Sequence, residues 1–138
     1  MNRYWPTRVA AIAGFLAVAL GAFGAHGLKN HLAQLGTTAI WEKAVLYHFI
    51  HAVMLFILAE RPQLPKVAWW GFLGGIVFFS GSLYLLAVTG IFWLGAITPI
   101  GGVLFLIGWG CLILCRGSFS GGRGDNDGGL AGGRRDDH

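Results

Sequence analysis

The stretch Trp41-Glu42-Lys43-Ala44-Val45-Leu46-Tyr47-His48-Phe49-Ile50-His51 opens an apolar run, residues 39–59, of the length a bilayer-spanning helix needs. Two histidines lie inside that run. Ionisable side chains at membrane depth are costly, so each asks for a partner or a purpose. At about 100° per residue, Trp41, Ala44, His48 and His51 fall within roughly 80° of one helix face. Glu42 points about a quarter turn away from Trp41. The histidines thus share a stripe with an aromatic and a small residue, which predicts a face turned towards other helices.

Working outward, the composition agrees with a membrane-embedded body. Hydrophobic residues make up 55% of the 138 and charged ones only 12%, about half the share found in a soluble domain. Residues 116–138 hold eight of the 16 charged residues, which leaves very little charge between Val9 and Cys115. The basic balance does not indicate nucleic acid, because Lys and Arg flank apolar spans and form no patch with interleaved aromatics. The lipid bilayer is the expected partner, together with a homo-oligomer or a larger membrane complex. Cys111 and Cys115 lie one helical turn apart, with no CxxC and no zinc-type spacing, so no metal site is expected from them.

The span before the histidine run, residues 7–25, follows a short basic start in which Tyr4 and Trp5 suit the headgroup level. Its apolar core from Val9 to Ala25 is longer than a signal-peptide core, so a retained helix is expected. Ala10, Ala13, Gly14, Ala17, Gly21 and Gly24 fall within roughly 100° of its wheel. Small residues on one face let membrane helices approach closely. His26 lies on the bulky side of that wheel. Residues 28–40 are too short and mixed to span, and Leu28, Leu32 and Leu35 suggest one or two turns at the membrane surface. Gly36 should break them, with Thr37 or Thr38 as N-cap of the histidine span.

Beyond the span, residues 60–66 carry two prolines and three charged side chains and read as a loop. The third span, residues 67–88, starts with Trp69 and Trp70 as an expected interfacial belt. Gly71, Gly74, Gly75, Gly81 and Ser82 share its small face. The fourth span has two readings. A continuous helix from Ile91 to Cys115 would carry Pro99 as a kink. Alternatively Thr98 caps and Pro99 takes the first turn, where its missing N–H costs nothing. The second is preferred, with residues 91–97 as an apolar connector buried on its neighbours and the span over 98–115. Gly101, Gly108, Cys111 and Cys115 form its packing face.

The fold class expected is therefore all-α, an integral membrane four-helix bundle over residues 1–116. Residues 117–138, rich in Gly, Arg and Asp, are expected to be a disordered tail, and the triplet Arg123-Gly124-Asp125 inside it to be chance. Four spans place both termini and the 60–66 loop on one side, with eight positives: Arg3, Arg8, Arg61, Lys66, Arg116, Arg123, Arg134 and Arg135. The other side holds Lys29 and Lys43. That asymmetry predicts cytoplasmic termini.

Several blocks resemble a known family. Gly21-Ala22-Phe23-Gly24-Ala25-His26-Gly27-Leu28, the set Trp41, Ala44, Tyr47-His48 and His51-Ala52, the block Phe79-Ser80-Gly81-Ser82-Leu83-Tyr84, and Thr98-Pro99-Ile100-Gly101-Gly102 with Gly108-Trp109 occur in order over residues 7–115. Together they resemble the YgdD/YwdK family of small bacterial inner-membrane proteins, a domain of unknown function related to a small animal transmembrane protein. The resemblance implies four membrane helices and supplies no activity.

Three functions compete. The first is a non-enzymatic membrane component, packing, accessory or regulatory. It fits the small-residue faces marked by Ala13, Ala17, Gly21, Gly71, Gly75, Gly81, Gly101 and Gly108, and the absence of Asp or Glu inside a span. General acid–base chemistry would have to rest on histidines alone, so no catalytic residue and no enzyme activity is expected. The second is a small-molecule, ion or proton pathway lined by His26, Tyr47, His48, His51, Ser80, Ser82 and Thr98. The third is a haem or metal site using two of the histidines. The bland reading of those histidines is neutral imidazoles hydrogen-bonded to facing helices. The first function is preferred, without cofactor.

Overall fold

The computed structural model describes residues 4–114. The expected tail, Cys115 and five of the eight basic residues on the termini side (Arg3, Arg116, Arg123, Arg134 and Arg135) lie outside the described residues.

Six α-helices build the described part: α1 Trp5–Ala25, α2 Lys29–Leu35, α3 Thr38–Ala59, α4 Lys66–Gly75, α5 Gly81–Thr89 and α6 Thr98–Leu114. A π-helical turn, Ile76–Ser80, joins α4 to α5, and a 3-10 turn, Phe92–Ala96, precedes α6. Four stretches are long and apolar enough to cross a membrane: Trp5–Ala25, Thr38–Ala59, Lys66–Thr89 and Phe92–Leu114. The fold is all-α and four-spanning, and no strand occurs among the described residues.

α1 lies along α3. Ala10, Ala13, Ala17 and Gly24 are buried on its inner face, and Trp41, Ala44, His48, His51, Ala52, Leu55 and Leu58 on that of α3. The α3 positions recur every three or four residues, which is the periodicity that the opening stretch announces. A methyl group on Gly24 would run into the Trp41 indole. That missing side chain lets Trp41 tuck under α1, where its Nε1–H donates to the Leu20 carbonyl at 3.1 Å.

α6 docks on α4 and the π turn by interdigitating glycines. A methyl on Gly71 would stand 3.0 Å from the Leu104 carbonyl oxygen and 3.2 Å from the Gly108 Cα. One on Gly75 would enter the Phe105 ring, one on Gly108 the Phe72 ring, and one on Gly101 the backbone of Phe79. Gly81 does not share this crossing, since a methyl there would meet only the Ile76 carbonyl, at 4.0 Å. The π turn is the reason. Its extra residue offsets later positions by about 100° from a wheel drawn through the preceding turns.

The two ends of the bundle are closed differently. At the end holding Tyr4 and the 60–66 loop, Thr7 Oγ1–H donates to Glu60 Oε1 at 3.2 Å. Trp69, expected at the interface, is instead fully buried, its ring 5.0 Å from that of Trp5. Only Trp70, on the other side of the helix, is exposed. At the far end α5 stops at Gly90, which takes the left-handed conformation (φ 69°), as Gly36 does after α2 (φ 66°). The last carbonyls of a helix lack intrahelical partners, and here α2 and the α2–α3 turn supply them. Thr37 Oγ1–H donates to the Ala87 carbonyl at 2.7 Å and His31 Nε2–H to that of Val88 at 2.7 Å. Thr37 does stand at the N-cap position of α3, but its side chain makes no cap hydrogen bond. It caps the neighbouring helix instead.

α6 begins at Thr98 with Pro99 in its first turn, while the apolar stretch long enough to span runs from Phe92 to Leu114. The connector before α6 is not buried as expected. Phe92 and Trp93 are 67% and 68% exposed, and no residue of the 3-10 turn is buried. Aromatic rings at a span end are stable at the headgroup level and need no protein cover.

Candidate functional site

The polar interior forms two clusters along α3. In the first, His51 is 4% exposed and lies flat on Phe105, with ring centroids 3.5 Å apart and planes 12° from parallel. Its Nδ1 is 2.7 Å from the Tyr47 carbonyl oxygen one turn earlier. A carbonyl only accepts, so Nδ1 carries the proton. Its Nε2 then holds a lone pair, which accepts the Trp109 Nε1–H of α6 at 3.2 Å. Both ring nitrogens are committed, and the imidazole is the neutral Nδ1–H tautomer. Tyr47 joins through its carbonyl and its ring, which is 4.6 Å from that of Phe79; the residue is 38% exposed.

In the second cluster the His48 Nδ1 and the Tyr84 hydroxyl share a hydrogen bond of 3.2 Å. The Tyr84 ring meets Trp41 edge-on, at 4.8 Å between centroids. His48 therefore connects two spans, its own and α5.

A third contact ties α5 to α6. Ser82 Oγ–H donates to the Phe79 carbonyl at 3.0 Å, beside the π turn, and the Thr98 hydroxyl lies 2.8 Å from Ser82 Oγ. With the Ser82 proton on the carbonyl, Thr98 is the donor of that second bond. Ser80 is fully buried, and its hydroxyl has no hydrogen-bond partner among the described residues.

His26 is not brought to these groups. It is exposed just past the end of α1, about 20 Å along the axis from Ala13 at 1.5 Å per residue. Tyr84 and Trp109, which these clusters need, and His31, which closes the end of α5, are not among the candidate polar residues. The first two occur only inside the family blocks, because Tyr and Trp at span positions read equally well as interface anchors. Nothing in its spacing marks His31.

Chemically the arrangement offers little. Glu42 and Glu60 are exposed at helix ends, so among the described residues no carboxylate accompanies the interior histidines. His51 has no lone pair to give a metal without breaking the Trp109 bond. Among the described residues no group of three or more His, Cys, Asp or Glu could hold an ion.

Four apolar spans tied by interior histidine, tyrosine and serine side chains define a small polytopic membrane protein. The chain belongs to the family described as Protein of unknown function (DUF423), whose model matches residues 20–102. It is 49% identical over 115 residues to a UPF0382 membrane protein of Staphylococcus epidermidis, covering 80% of this chain and 93% of that one. It is also 49% identical over 105 residues to the UPF0382 membrane protein YwdK of Bacillus subtilis, covering 72% and 85%. A UPF0382 membrane protein of Staphylococcus aureus is 44% identical over 115 residues. No solved structure matches the chain. The resemblance to the YgdD/YwdK family is borne out. These relatives are named as membrane proteins, and their names state no activity.

Proposed function

We propose that this protein is a non-enzymatic membrane component, accessory or regulatory, whose interior polar side chains serve to tie its helices and whose action lies in what its surface holds. The observation that carries this reading is the double commitment of His51, whose two nitrogens are both used between α3 and α6. A proton relay, a ligand to iron or a general base each needs a ring nitrogen that can change partner. His51 has none to spare, and His48 is engaged with Tyr84.

The experiment is purification of the full chain in a mild detergent, followed by its absorption spectrum and native mass. Aromatic absorption alone, with a mass above one chain from self-association or a partner, is the expected result. A Soret band or stoichiometric metal would refute the reading.

The surrounding membrane is the bacterial cytoplasmic membrane, with both termini on the cytoplasmic side. Arg8, Arg61 and Lys66 among the described residues stand at the termini end, with Lys29 and Lys43 at the other, and basic residues favour the cytoplasmic face. A reporter fused after Cys115 should remain cytoplasmic, and one inserted between residues 29 and 38 should be exported. An exported C-terminal reporter would reverse this orientation.

A further inference from the structure

A cleft of about 430 Å³ opens where α1, α2 and α3 diverge at the end of the bundle away from Tyr4. Gly21, Trp41 and Phe49 line its apolar part, and Lys29, Thr38 and Glu42 also border it. Its volume is that of a small-ligand site. Its direction is equally telling. From Thr38 to Phe49 is eleven residues of α3, or about 16 Å at 1.5 Å per residue, which is one leaflet of a bilayer core about 30 Å thick.

The charges at the rim do not satisfy each other. Among the described residues neither Lys29 nor Glu42 forms an ion pair or a side-chain hydrogen bond, and both are exposed. A cation and an anion bordering one apolar trough that runs the length of a leaflet complement one kind of membrane molecule. We infer that this cleft binds a glycerophospholipid with a primary-ammonium head group. Its acyl chain runs past Gly21 and Phe49, its phosphate meets Lys29 and the Thr38 hydroxyl, and its ammonium donates to Glu42. A primary ammonium has three N–H donors for a carboxylate, whereas a quaternary ammonium has none. An anionic glycerol head group would set no cation against Glu42. Gly21 matters because its missing side chain leaves the trough open beside Val45, 3.2 Å from where a methyl would stand.

The test is native mass spectrometry of the full chain in detergent, titrated separately with phosphatidylethanolamine, phosphatidylcholine and phosphatidylglycerol. Wild type should retain the ethanolamine lipid about tenfold better than the other two, the worth of one charge-assisted hydrogen bond. Glu42→Gln should erase that preference. Lys29→Gln should weaken all three lipids alike, because all three carry the phosphate. Lys43→Gln, a charge on the same end but outside the cleft, should change nothing. Since these side chains are exposed and unpaired, the variants should melt as wild type does. Equal retention of the three lipids, an unchanged preference in Glu42→Gln, or an effect of Lys43→Gln equal to that of Lys29→Gln would each overturn the assignment. So would a second copy of the chain that occupies the cleft and excludes added lipid.

Discussion

Gly101→Ala should destabilise the bundle by a net of about 2 kcal/mol, although it adds a single methyl group. The new carbon would meet the backbone nitrogen and Cα of Phe79. A backbone cannot turn aside as a side chain can, so α6 must move away from the π turn as a body. Overpacking of this kind costs about 1–3 kcal/mol and more when nothing yields. The better helix propensity of alanine offsets about 1 kcal/mol of that. Gly14→Ala is the matched control, since a methyl there meets nothing within 4 Å. It should be neutral or slightly stabilising. Unfolding in mixed micelles with increasing dodecyl sulfate measures both. Equal tolerance of the two substitutions would mean that the α6 crossing is drawn wrongly.

The same geometry ranks the other small positions. Gly75→Leu should behave like Gly101→Ala, because the Phe105 ring it would strike is itself held under His51. Gly21→Leu should be milder, since its neighbour is the end of the Val45 side chain. A small-residue stripe on a wheel identifies a face that can be approached. Only the structure shows which of its glycines another backbone reaches.

The difference between those two kinds of information explains what was legible in the residues. The α3 face could be read because Trp41, Ala44, His48 and His51 keep one unbroken 3.6-residue period. Gly36 and the pair Thr98-Pro99 marked helix ends because their backbone preferences are local. Gly81 was placed on the crossing because a π turn has no sequence signature, and one extra residue rotates all that follows. Trp69 and Trp70 looked alike as interface anchors, yet they are adjacent and must point about 100° apart. One of them therefore had to face the core. Thr37 was legible as a cap, but which helix it caps depends on where α5 ends in space. The polar cluster was half legible. His48 and His51 announced themselves by their cost in a membrane, whereas Tyr84 and Trp109 satisfy them from elements 36 and 58 residues away.

The central claim is that these interior polar groups are structural ties, and the His51–Trp109 bond is where it can be measured. In His51→Phe the Trp109 N–H loses its acceptor at membrane depth, where no water replaces it. The expected loss is about 1–3 kcal/mol. Trp109→Phe leaves the His51 Nε2 lone pair without a donor and should also destabilise. The double variant leaves neither group wanting, and phenylalanine at 51 can still stack on Phe105. It should therefore be more stable than the sum of the single losses implies, by about 1 kcal/mol. The deciding measurement is this double-mutant cycle on unfolding in mixed micelles. A coupling of that size is expected if His51 is a tie between α3 and α6, and strictly additive losses would contradict it.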